Sequence, residues 1–138
     1  TFIEKVQLVS DVDIIFKESD FISLHLPYIS RLHHFVNEEK IKMMKSSAYL
    51  INCARGGVVD EEALLEALNS NKLAGAAIDV FLNEPNPNLD LCKHEKVSVT
   101  PHIGASTKEA QEKIGQEVKE IIIDFWKRSR LNDQVKTI

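Results

Sequence analysis

Two hydrophobic rhythms alternate along the chain: dense apolar runs of strand character, and apolar positions spaced for one face of a helix. Val6-Gln7-Leu8-Val9 alternates and predicts a short strand leading into Ser10. Ser10, with Asp13 three residues on and Val12, Ile15 and Phe16 on one face, predicts a capped helix. Phe21 to Leu26 reads as a strand ended by Pro27, and residues 28–36 as a loop. Asn37-Glu38-Glu39 opens a short helix bearing Ile41, Met43 and Met44, its early acids suited to the positive end of the helix dipole. The run 48–53 predicts the central strand, introduced by Ser46-Ser47 and broken at Cys53-Ala54-Arg55-Gly56-Gly57. Asp60 caps the next helix, with Ala63, Leu64, Ala67 and Leu68 at helical spacing and Asn69-Ser70-Asn71 at its end. Ala74 to Val80 is a further buried strand whose small residues let a neighbouring backbone come close. Residues 81–96, with Pro85 and Pro87, read as a long loop, and Val97 to Thr100 as a last strand stopped by Pro101. Ser106 and Glu109 form a capping box for a long helix, about 106–131, striped by Ile114, Val118, Ile121, Ile122 and Phe125.

Strands divided by helices imply right-handed crossovers and a parallel sheet covered on both faces, an α/β fold. Every strand of such a sheet delivers its C-terminal end to one edge, where open α/β sheets bind ligands. That rim collects His25 and Pro27, Arg55, Asp79 and His102, with Glu84 in the loop between the last two strands. Arg55 offers a planar fork of donors suited to a carboxylate. His102 can exchange a proton near neutral pH, and a carboxylate such as Glu84 would orient its ring. Together these groups suit a reaction at an oxygen-bearing carbon beside a carboxylate. Gly56, Gly57 and Gly104 leave backbone amides open to close approach by a cofactor.

Composition narrows the picture without naming a reaction. The chain has 138 residues, 43% of them hydrophobic, enough for one ordinary core. A net charge of −4 gives no sign of nucleic acid or anionic membrane as partner. No apolar run spans a bilayer, and Thr1 to Lys5 has neither the basic flank nor the apolar core of a signal peptide. Cys53 and Cys92 lack metal-like spacing and are expected to be free thiols in a cytoplasmic chain, so no metal site is expected.

Each candidate also has a plainer reading. Arg55 reads equally as a surface arginine in an ordinary turn, until the other strand-end groups are considered. His25 can be a strand-end residue bonded within the protein, Asp79 a loop cap, and Glu84 an ordinary acid before proline. His33, His34 and His94 are expected to be exposed loop residues without a role. Cys53 is expected to be a buried small residue rather than a nucleophile, and Trp126 a packing residue.

The stretches HLP (25–27), LINCARGGVVDEEAL (50–64), AGAAIDVFLNEP (74–85) and TPHIGASTKEAQ (100–111) resemble the D-isomer-specific 2-hydroxyacid dehydrogenases. The last stretch is most similar to the phosphoglycerate dehydrogenase branch of that family. The resemblance implies that Arg55, Glu84 and His102 are catalytic: Arg55 holds the substrate carboxylate and carbonyl, His102 is the general acid/base, and Glu84 is its partner. It implies NAD as cofactor, touched by Leu26, Cys53, Ala54, Arg55, Asp79, His102, Gly104 and Ala105, and a small 2-hydroxy or 2-keto acid as substrate. Glyoxylate or hydroxypyruvate reduction, or a non-catalytic NAD-binding corepressor-like module, are the alternatives.

The five glycines, at 56, 57, 75, 104 and 115, make no G-x-G-x-x-G, so the phosphate cradle is absent from the sequence. The expectation is therefore a Rossmann-like, doubly wound parallel sheet, incomplete because the first βαβ half is missing. Residues 1–138 would be the C-terminal part of the NAD-binding domain, without the substrate-binding domain. Such a chain alone is expected to be inactive and to bind NAD weakly. Its first strand, left at a sheet edge, invites pairing with a second copy and a homo-oligomer.

Overall fold

The structure, a computed structural model, describes residues 6–104 and 106–135. Two compact units divide at His102–Ile103. In the first, helix α1 (Val12–Glu18), strand β1 (Phe21–Leu24), a 3-10 turn (Ser30–Leu32) and α2 (Glu38–Met43) lead to β2 (Tyr49–Asn52). Helix α3 (Glu61–Asn69), β3 (Gly75–Ile78), α4 (Leu89–Lys93) and β4 (Val97–Val99) complete it. The second unit is dominated by α5 (Lys108–Val135).

Each α-helix of the first unit is started by an Asp or Asn that satisfies an orphan backbone donor of the first turn. Asp11 accepts from the Asp13 N–H, Asn37 from Lys40, Asp60 from Glu62 and Ala63, and Asn88 from Asp90 and Leu91. Asp11, rather than the expected Ser10, is thus the first cap. In α5 the Thr107 hydroxyl accepts from the Ala110 N–H, so Thr107 takes the place expected of Ser106 and no Ser106–Glu109 box forms. Helix α4 lies inside the expected loop, too short to show a hydrophobic period. Residues 6–9 form no strand and do not join the free edge of β1, and Val6 and Leu8 are exposed.

The sheet is parallel throughout, in the order β1-β2-β3-β4, with Leu50 of β2 level with Ile22 and Ala76. Phe16, Ile41, Leu64, Leu68 and Leu91 from the four helices join Ile22, Leu24, Leu50, Ala76 and Ile78 in one buried core. Successive right-handed crossovers that all advance in one direction put every helix on the same face. Among the described residues of this unit the helices therefore cover one face, not both. On the other face Phe21 and Tyr49 are exposed and stack on each other, ring centroids 5.3 Å apart. Gly75, level with Tyr49, admits this arrangement: a Cβ there would lie 2.9 Å from both Tyr49 Cε1 and the Lys96 carbonyl oxygen.

Helix α5 keeps its expected stripe, but Ile114, Val118, Ile121, Ile122 and Phe125 are substantially exposed, as is Trp126. No helix among the described residues is long and apolar enough to cross a membrane.

Candidate functional site at the strand ends

Asn52, the last residue of β2, is buried, and its carboxamide shapes the turn after the strand. Its Oδ1 accepts from the Ala54 N–H at 3.2 Å and its Nδ2 donates to the Arg55 carbonyl at 3.2 Å. A buried amide with both ends satisfied fixes the backbone that lifts Arg55 off the sheet. The Arg55 guanidinium donates to the Ala54 carbonyl at 2.6 Å, and the residue is exposed on the rim. Cys53 is also exposed rather than buried, because the inward position belongs to Asn52.

The glycines after Arg55 serve packing within the protein. A Cβ on Gly56 would sit 1.9 Å from the Phe81 carbonyl oxygen, so the expected opening toward a cofactor is filled by the loop after β3. Gly57 has φ +78°, and a Cβ there would come within 3.0 Å of Tyr28 Cε2 and 3.1 Å of Leu82 Cδ1. The turn bearing Arg55 and the loop bearing Glu84 are therefore in direct contact.

That loop is pinned by carboxylates. The Phe81 N–H donates to Glu84 Oε1 at 2.9 Å, and the Leu82 N–H donates to Glu61 Oε1 at 2.6 Å. The other oxygen of Glu84 lies 2.7 Å from His102 Nδ1. An ionised carboxylate only accepts, so the proton of this contact resides on Nδ1 and Nε2 is left to exchange one. The His102 hydrogen bond, followed by the Phe81 N–H, holds the Glu84 carboxyl below its ordinary value of 4.5. A depressed folded value means this tether stabilises the fold above about pH 4.5 and is lost as pH falls through the lowered value. His102 has φ +54°, a left-handed backbone. Phe81, Glu84, Pro85, Pro87, Pro101 and His102 line a shallow cleft at this point.

Asp79 is buried at the end of β3, its Oδ1 accepting from the Thr100 hydroxyl at 2.5 Å. His25 is exposed and its Nε2 lies 2.9 Å from the Ser23 hydroxyl, the internal bond of its plainer reading. Leu26 is half-buried beside it. Gly104 belongs to the second unit, and Ala105 lies outside the described residues. His33 and His34 stack with centroids 3.9 Å apart, and His34 Nδ1 lies 3.4 Å from Asp60. His94 Nδ1 accepts from the Lys96 N–H at 3.1 Å. Among the described residues no cluster of three metal-ligating side chains occurs.

Hydrophobic spacing and motif alone do not single out Asn52, Glu61 or Thr100. A polar residue closing an apolar strand is the available signal for Asn52; nothing local distinguishes Glu61 or Thr100.

The family profile described as D-isomer specific 2-hydroxyacid dehydrogenase, NAD binding domain, matches residues 2–104. The chain is 46% identical over 117 residues to a D-3-phosphoglycerate dehydrogenase of Methanocaldococcus jannaschii, covering 85% of this chain and 22% of that protein. It is 45% identical over 117 residues to a glyoxylate reductase of Thermococcus litoralis, covering 85% and 35%. The structure of D-lactate dehydrogenase from Aquifex aeolicus, complexed with NAD and lactic acid, superposes with a TM-score of 0.72 at 38% identity, covering 86% and 40%. The chain thus spans well under half the length of each of these proteins. With three-quarters of its residues matched by the family profile and its sheet matched by a solved member, the chain belongs to the D-isomer specific 2-hydroxyacid dehydrogenases.

Proposed function

We propose that the protein carrying this chain oxidises a D-2-hydroxy acid to the 2-keto acid with NAD, 3-phospho-D-glycerate being the substrate and serine biosynthesis its setting. The observation that carries this reading is the Glu84–His102 contact of 2.7 Å, in a loop packed on the turn of Arg55. A guanidinium fork to hold a carboxylate and an oriented imidazole to take the neighbouring hydroxyl proton are the two groups this reaction needs.

NAD is the cofactor of this family's domain. The residues present suit its nicotinamide end, where Asp79 offers a carboxylate anchored by Thr100 and where Leu26, Cys53 and Ala54 border the same strand-end edge. They do not suit its pyrophosphate, since no glycine fingerprint occurs and the Gly56 opening is filled by Phe81. When bound, NAD supplies the hydride acceptor. Arg55 pairs with the substrate carboxylate, fixing the carbon that loses hydride. His102 Nε2 takes the hydroxyl proton as the carbon–oxygen double bond forms, and Glu84 stabilises the imidazolium that results.

Glyoxylate or hydroxypyruvate reduction is the second reading, favoured by the equal likeness to a glyoxylate reductase. Steady-state assays of NADH formation or consumption with 3-phosphoglycerate, glyoxylate, hydroxypyruvate and D-lactate separate the two. The expected result is the highest kcat/KM for 3-phosphoglycerate. A higher value for glyoxylate transfers the assignment to the second reading, and no turnover of any acid overturns both.

A further inference from the structure

We propose that Glu61 is a positioning residue for the Glu84–His102 pair, acting through the backbone amide of Leu82. Glu61 opens α3 one residue after its cap, Asp60, and is half-buried. Its carboxylate reaches across 21 residues of sequence to accept the Leu82 N–H at 2.6 Å. The adjacent amide, that of Phe81, is taken by Glu84 itself. Two consecutive N–H groups are thus held by two carboxylates, one structural and one facing the imidazole.

The Phe81 carbonyl between these amides rests on Gly56. The peptide units that bear the Phe81 and Leu82 N–H groups are therefore fixed at three points: Gly56 beside Arg55, Glu61 on α3, and Glu84 within the loop. A charge-assisted hydrogen bond is short and directional, and one end of this one stands on a helix. Without it, the outward amide is returned to solvent and the loop is held against Arg55 by packing alone. Glu84 then loses the alignment that turns one oxygen to Phe81 and the other to His102. Glu62, the next acid on the same turn, is exposed and makes no such bond among those described, so helix-end charge alone does not reproduce the effect.

The catalytic part of this inference rests on the dehydrogenase reading, so its test begins with a measurement that needs no turnover. The Glu84 carboxyl is titrated by carbon-detected NMR in the wild-type protein and in Glu61→Ala, Glu61→Gln, Glu61→Asp and Glu62→Ala. Losing the Phe81 N–H and the His102 contact removes two lowering influences, so the midpoint is expected to rise toward 4.5 in Glu61→Ala. It should rise likewise in Glu61→Asp, which keeps the charge but is one methylene too short. Glu61→Gln, which keeps an accepting oxygen, and Glu62→Ala should match wild type. In turnover assays Glu61→Ala should lose roughly tenfold in kcat at unchanged KM for NAD, with Glu61→Gln restoring most of it. An unshifted Glu84 midpoint in both Glu61→Ala and Glu61→Asp overturns the positioning role, whatever the enzyme assay shows. Should Glu61→Ala fail to fold, Glu61→Asp against Glu61→Gln makes the same decision. A shifted midpoint in a protein that turns over no 2-hydroxy acid upholds the positioning and sinks only the dehydrogenase reading.

Discussion

Replacing His102 by alanine is expected to lower kcat of the active protein by on the order of 10²–10⁴-fold, with NAD affinity nearly unchanged. The expectation rests on where the proton can go. Glu84 fixes the Nδ1 side of the ring at 2.7 Å, so Nε2 is the available base, and among the described residues no second imidazole is bonded to this carboxylate. His25, also on the rim, is bonded to Ser23 instead. Removing the ring leaves water as the base at neutral pH, which accounts for the size of the loss. Retained NAD binding separates loss of a proton acceptor from loss of the site. A decrease in kcat smaller than tenfold would mean that another group carries the proton.

The second large effect falls on stability. Gly56→Ala is expected to destabilise the fold by about 3 kcal/mol or more, read as a lower urea midpoint at unchanged slope. The added methyl would meet the Phe81 carbonyl oxygen at 1.9 Å and its carbon at 2.4 Å. Both are backbone atoms, so no rotamer change relieves the clash; the turn and the loop must part. Gly57→Ala makes the comparison, costing about 1–2 kcal/mol from its left-handed backbone. The nearest atoms there belong to the side chains of Tyr28 and Leu82, which can move. Because parting the two loops also moves the turn that carries Arg55 away from the loop that carries Glu84, Gly56→Ala should lose activity even in protein that remains folded. Equal stability of Gly56→Ala and wild type would show that the loops do not touch as described.

These two residues also mark how far the sequence can be read. The central strand, the Asp60 cap and the parallel sense of the strands are legible from hydrophobic spacing, from the alternation of strands with helices and from acids placed at helix starts, all local signals. The strand-end rule likewise puts Arg55, Asp79 and His102 on one rim. The expected caps are off by one residue at Ser10/Asp11 and Ser106/Thr107, where adjacent side chains both carry a suitable oxygen and only the backbone path chooses between them. Helix α4 is hidden because five residues display no period, although Asn88 followed by Leu89 and Leu91 is its signature. Cys53 reads as buried only if both faces of the sheet are covered; the inward places go to Ala48, Leu50 and Asn52, and alternation leaves Cys53 on the other side.

Gly56 is the instructive misreading. Its lack of a side chain is used, as expected, for close approach, but by a carbonyl 25 positions away in the same chain. Contacts of that range leave no trace in local spacing. The same holds for Glu61, whose place at a helix start already accounts for its charge and conceals its bond to Leu82. One acid can satisfy both a local and a distant demand, and only coordinates reveal the second.

The proposed chemistry depends on Glu84 and His102 acting as one unit. A double-mutant cycle on kcat/KM, with Glu84→Ala, His102→Ala and the doubly substituted protein, measures that coupling. If the carboxylate works only by orienting and stabilising the imidazole, the double substitution should cost no more than His102→Ala alone. If the two losses multiply instead, the residues act independently, and the 2.7 Å contact is not the relay proposed for it.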